Sequence, residues 1–131
     1  MKRILLILIG ALQIILGIAF AFAPDLILSS MGQSVPPSDL HYQLGMLASR
    51  FLVIGVAFII ISNNIEKHRF WIRAMALIQV LDLAFGIYFT SIGVVGLKQS
   101  GIPMFDAIWI IAACVWITQR PKLNIQNELG A

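Results

Sequence analysis

Cysteine is nearly absent from this chain. Cys114 stands alone among 131 residues, so no internal disulfide can form and cysteine usage says nothing about compartment. Flanked by Ala112, Ala113, Val115 and Trp116, it reads as a small hydrophobe that fills space. Charge is equally scarce: charged residues make up 11% of the sequence, against about 25% in ordinary soluble domains. There is no glycine-rich phosphate loop, no Ser-His-Asp set, no CxxC pair and no metal-ligand spacing, which removes the familiar routes to enzymatic turnover. The balance of these signals leans away from an enzyme without deciding it.

Apolar residues fill the sequence instead. They reach 60%, above the about 45–50% of soluble domains, and lipid is the expected solvent. A chain of 131 residues has room for one membrane domain, of which four spans of about 20 residues use most. The net charge of +3 would suit nucleic acid, but the basic residues lie in short clusters between apolar runs. Membrane topology accounts for them, and no nucleic-acid partner is expected. The two halves show no clear internal repeat, which argues against an inverted-repeat transporter in one chain; a homo-oligomer could still supply symmetry.

The predicted fold is all-α, a four-transmembrane-helix bundle running up-down-up-down. Helices are expected over residues 4–23, 40–61, 70–95 and 103–119, with a polar tail over 120–131. The first span, behind Met1-Lys2-Arg3 and ending in Ala21-Phe22-Ala23, imitates a secretory signal. Its apolar run exceeds the usual h-region of about 7 to 15 residues, and Pro24 disfavours cleavage, so it reads as a retained helix. Pro24 is expected to stop that helix, with Leu26-Ile27-Leu28 lying on the membrane surface. After Pro36-Pro37, Ser38 and Asp39 are expected to cap the second span. Gly93 and Gly96 are expected to fray the end of the third, and Gly101 to sit in the next loop. Pro103 suits the first turn of the fourth span.

An even number of spans puts both ends on one side. That side holds seven basic residues, Lys2, Arg3, Lys67, Arg69, Arg73, Arg120 and Lys122, against Lys98 alone on the other. By the positive-inside rule both termini are cytoplasmic, in a plasma or inner membrane. Asp25 and Asp39 fall outside.

Against this background the polar residues within the spans stand out. Placing Arg or Asp at a helix centre costs about 2.5 to 3.5 kcal/mol on insertion scales, so such residues face a partner or a watery cavity. Counting ~1.5 Å per residue from the cytoplasmic boundary, Arg50 and Asp82 both lie ~18 Å deep, Gln13 ~15 Å and Asp106 ~20 Å. All four spans thus contribute to one polar layer. Gln79, Asp82, Gly86 and Thr90 share a face, as do Gly10, Gln13, Gly17 and Ala21, where small residues let a neighbouring helix approach. Gln43, Arg50 and Ala57 also align. Arg50 keeps its charge and is expected to pair with Asp82, which leaves Asp106 as the proton carrier of the set. The same pair can equally serve only to fix helix register, and Asp106, near the expected start of its helix, can serve the helix dipole.

His41 and His68 fall on opposite sides, so they cannot share a metal or haem, and no metal site is expected. Trp71, Trp116, Tyr42 and Tyr88 suit an interface belt. Trp109 is different: its depth matches the polar layer, where its indole N–H needs an acceptor such as Asp82 or Asp106.

Two stretches, Ala21-Phe22-Ala23-Pro24-Asp25-Leu26 at the exit of the first span and Ser49-Arg50-Phe51-Leu52-Val53-Ile54-Gly55 in the second, give the chain a resemblance. It looks like the small four-helix membrane proteins grouped as DoxX-like and BphX-like. The resemblance implies a compact four-helix bundle and, from some relatives, quinone-coupled electron transfer or an accessory-subunit role, with Arg50 as the one residue it places. Three functions follow. The first is a bundle whose polar layer of Arg50, Asp82, Gln79, Gln13, Asp106 and Trp109 binds a small hydrophobic molecule, a membrane lipid or a partner membrane subunit. The second is a quinone-linked redox subunit in which Arg50 and Gln79 hydrogen-bond a quinone carbonyl. The third is a proton-coupled carrier using Asp82 or Asp106.

Overall fold

The computed structural model of the protein describes residues 1–119. The expected polar tail, with Arg120 and Lys122, lies outside the described residues. Within them every regular element is helical: α1 (Lys2–Phe22), α2 (Pro24–Ser30), a 3₁₀ turn (Ser38–Leu40), α3 (His41–Ile61), α4 (Arg69–Ser91) and α5 (Leu97–Thr118). Four of these, α1, α3 with its leading turn, α4 and α5, are long and apolar enough to cross a membrane.

Local chemistry sets the boundaries. Ala23, at φ −141° and ψ 51°, breaks the helical path, because Pro24 has no N–H to continue it. Pro24 instead becomes the first residue of α2, where a missing donor costs nothing. The segment expected to lie flat, Leu26-Ile27-Leu28, is therefore a short helix. No side-chain cap forms at Ser38 or Asp39; these residues build the 3₁₀ turn that feeds α3. α4 stops at Ser91 rather than near residue 95. Gly93 adopts φ +77°, and the Val94 N–H bonds back to Phe89 O at 3.0 Å, a left-handed terminus that glycine permits without strain.

The fourth span differs most from expectation. It starts at Leu97, not at residue 103, so Gly101 and Pro103 lie inside α5. Gln99 reaches back to accept the Gly96 N–H at 2.6 Å, anchoring the first turn as a capping-box residue does. A helix secured there tolerates the backbone bond that Pro103 forfeits a turn later. In consequence Asp106 sits about two and a half turns into the helix, away from the first turn, which holds no acid. The helix-dipole role considered for it does not apply.

The helices pack as two antiparallel pairs. α1 and α3 touch along their length: a Cβ at Gly10 would stand 2.6 Å from Gly55 O, and one at Gly55 equally close to Gly10 O. Farther along, Gly17 meets Leu52 and Ala48. α4 and α5 pair more loosely, with Gly86 against the Met104 side chain and the Thr90 and Ser100 hydroxyls hydrogen-bonded at 2.8 Å. Between pairs the backbones approach little, α1 meeting α5 only briefly. Side chains join them at the end that carries the N-terminus, where Leu6 and Ile9, Phe58, Ile72, and Ile110, Cys114 and Ile117 form a closed apolar plug. At the same end Lys2 Nζ donates to Ile117 O at 3.0 Å and to Gln119 O at 3.3 Å, while Arg69 Nη1 donates to Thr118 O at 3.0 Å. Only 22% to 33% of each spanning window is buried, so most apolar side chains face outward.

Candidate functional site

Cross-helix register fixes the height of each polar residue. Gly10 lies opposite Gly55 and Gly17 opposite Ala48, so Gln13 stands level with about residue 52, within ~3 Å of Arg50 along the axis. In the other pair Gly86 faces Met104 and Thr90 faces Ser100, which puts Asp106 level with about residue 84, again ~3 Å from Asp82. Arg50 Nη2 donates to Asp82 Oδ2, an ion pair that crosses from one helix pair to the other. Gln13, Arg50, Asp82 and Asp106 therefore occupy one layer, with Gln79 about a turn nearer the plug.

Helical phase explains why the layer rests on that plug. Asp106 heads the stripe that continues through Ile110, Ala113 and Ile117; Arg50 heads one through Ile54 and Phe58 to Ile61; Gln13 follows Leu6 and Ile9. Each inward face is apolar toward the N-terminal end and turns polar at the same height. On α4 the stripe of Gln79, Asp82, Gly86 and Thr90 is the less exposed side of the helix.

Individual environments differ sharply. The Arg50 and Asp82 side chains keep 39% and 40% of their surface accessible, yet Arg50 Nε is enclosed and has no hydrogen-bond partner among the described residues. Gln13 is only 1% exposed, and neither its Oε1 nor its Nε2 has a partner among them. An enclosed, unmatched polar group costs about 1 to 3 kcal/mol, so this amide is the least satisfied group of the layer. Gln79 is buried as well. Asp106 accepts from Trp109 Nε1 at 2.8 Å, one turn along the same helix. Trp109 thus takes one of its two expected acceptors, and the choice is local.

The fold brings Arg50 to Asp82 and Asp106 to Trp109 by direct bonds. It aligns Gln13 and Gln79 with them without bonding either, and leaves Gln43 exposed. Among the described residues no three His, Cys, Asp or Glu side chains converge; the layer itself presents amide, guanidinium, carboxylate and indole groups, which hydrogen-bond and ion-pair. Several polar contacts have no counterpart in the sequence reading. His41 Nε2 pairs with Asp25 Oδ1 at 3.0 Å, tying α3 to α2. Asp25 follows the first span and His41 opens the second, so both lie at the same end of the bundle, and that shared end is the signal the sequence holds. Thr90 bonds Ser100, which had been assigned to a loop. Lys2 and Arg69 close on the end of α5, where the sequence had them only as topology markers.

No protein family, curated protein or solved structure matches this chain. Its function is accordingly argued from the layer's own geometry.

Proposed function

We propose that the chain is an integral protein of the plasma or inner membrane, with both termini cytoplasmic, whose polar layer binds a small hydrophobic molecule carrying a carbonyl or carboxylate. It acts as a binding protein without turnover. The observation that carries this reading is Gln13, sealed in the interior with donor and acceptor both unmatched among the described residues, at the height of a guanidinium whose Nε–H is likewise unmatched among them. Two unmatched donors at one height suit a carbonyl oxygen, and Asp82 is paired with the guanidinium. Four apolar spans and the clustering of Lys and Arg at one end support the membrane assignment.

Thermal unfolding in detergent tests it, with a medium-chain fatty acid and a short-chain quinone as probes. One of them is expected to raise the midpoint for the wild type and Lys98→Ala, and to leave Arg50→Ala and Gln13→Leu unmoved. Equal stabilisation of all four proteins rejects the site. A response to the quinone alone, or quinone copurifying with the protein, selects the redox accessory role, with Arg50 and Gln79 at the carbonyl. The kinship with DoxX-like and BphX-like proteins belongs to this proposal, through Arg50. A fusion reporter behaving as extracytoplasmic at the C-terminus overturns the orientation.

One observation favours a second reading. Asp106 has no cation beside it among the described residues, only the intrahelical Trp109 N–H, as a proton-carrying carboxyl would. Flux driven by a pH gradient in liposomes, abolished in Asp106→Asn and retained in Trp109→Phe, would establish a proton-coupled carrier.

A further inference from the structure

A groove of about 450 Å³ runs along the outer seam of α4 and α5, away from the polar layer. Arg73 stands at its mouth beside Thr118 and Gln119, and its walls are apolar: Ala76, Leu77 and Val80 on one side, Ile111 and Val115 on the other. From Arg73 to Val80 the groove follows α4 for ~10 Å. Leu77, Val80 and Val115 are exposed along it, so an occupant enters from the side and not from the interior.

Charge selects the occupant. Arg73 is exposed and has no ion pair or hydrogen bond among the described residues. The nearby cations Lys2 and Arg69 are committed to the carbonyls that end α5, and Glu66, the acid of this end among the described residues, is bound by Arg69. A free guanidinium heading a one-sided apolar channel matches an anionic phosphate with an acyl chain below it. We infer that the α4/α5 seam holds one anionic phospholipid, its phosphate on Arg73 and the first part of an acyl chain between Leu77, Val80 and Ile111. This rests on the reading that the chain spans a membrane with Arg73 near the headgroup level. It is independent of what the polar layer binds.

The test uses the full chain in mild non-ionic detergent, offered equal amounts of phosphatidylglycerol and phosphatidylcholine and weighed by native mass spectrometry. Phosphatidylglycerol adducts are expected to predominate, and to fall about five-fold in Arg73→Ala with phosphatidylcholine unchanged. Leu77→Trp, which fills the groove at an exposed position, is expected to lower adducts of both lipids. Arg3→Ala, a cation of the same end outside the groove, is expected to leave them unaltered. Circular dichroism verifies the helical content of each variant. Equal retention by wild type and Arg73→Ala overturns the inference, as does an equal loss in Arg3→Ala, which marks diffuse attraction. Competition by glycerol phosphate as effective as that by phosphatidylglycerol also overturns it, because the acyl chain then contributes nothing. Extraction of the protein from membranes by alkaline carbonate removes the membrane reading itself. Retention in the pellet with no effect of Arg73→Ala removes this site alone.

Discussion

Arg50 and Asp82 are the residues for which sequence reasoning had most to work with, because a charge inside an apolar span is costly enough to demand an explanation. Equal depth on neighbouring spans then named the partner, and the ion pair exists. Removing one member leaves the other without its counter-charge, so Arg50→Ala and Asp82→Ala are each expected to destabilise the protein by about 2 to 4 kcal/mol. The double variant is expected to lose less than the two together, by about 1 kcal/mol or more, in unfolding measured in detergent. Simple additivity would show that the pair contributes no coupling. Gln13 illustrates what depth counting misses. Its position in the layer was legible, but its isolation was not, since a hydrogen-bond partner depends on side-chain directions across helices. Gln13→Leu, close in volume, is expected to raise stability by about 1 kcal/mol in the ligand-free protein, having removed an unmatched amide. A loss of stability there would mean that the amide is satisfied.

At the level of whole helices, glycine separates packing from mere composition. Gly10 and Gly55 each lie with the partner backbone 2.6 Å from where a Cβ would be, and backbone cannot yield as a flexible side chain can. Alanine at either position is expected to cost about 1 to 3 kcal/mol by forcing α1 and α3 apart. At Gly86 the obstacle is the flexible Met104 side chain, and a smaller loss is expected. Gly45 and Gly101 are helical with open space around them, so alanine there is expected to be neutral or stabilising by up to about 1 kcal/mol. A series of denaturation midpoints ranks the five, and a large loss at Gly45 would contradict the packing described. The four long helices were legible from apolar run length, as was the stop at Pro24; the end of α4 at Ser91, short of residue 95, was not, because it depends on Gly93 taking a left-handed conformation. Nor was the start of α5. Gly96 and Gly101 read as loop and Pro103 as the first turn of the helix, whereas the Gln99 side chain secures a turn that begins just after Gly96.

Across the molecule, the contacts that tie the two helix pairs together include the apolar plug, the Arg50–Asp82 bridge and the grip of Lys2 on the end of α5, which Arg69 also holds from within its own pair. The last of these joins the first turn of the chain to its last helix and places cations where the helix dipole is negative. Lys2→Met with Arg69→Met is expected to speed amide hydrogen exchange at the C-terminal turn of α5 while leaving the α1–α3 seam protected. Unchanged exchange there would show that the plug alone suffices.

Composition and spacing carry the number of long apolar spans and the placing of charges at one height, because each depends only on apolar run length and on a fixed rise per residue. Contact between helices lies beyond such counting. That the four long helices sort into two pairs, that Gln13 is enclosed with no bond among the described residues, and that Arg73 heads an open groove all follow from how side chains meet across elements distant in sequence. Small rotations of a helix about its axis decide those meetings, and a single chain's pattern leaves such rotations free.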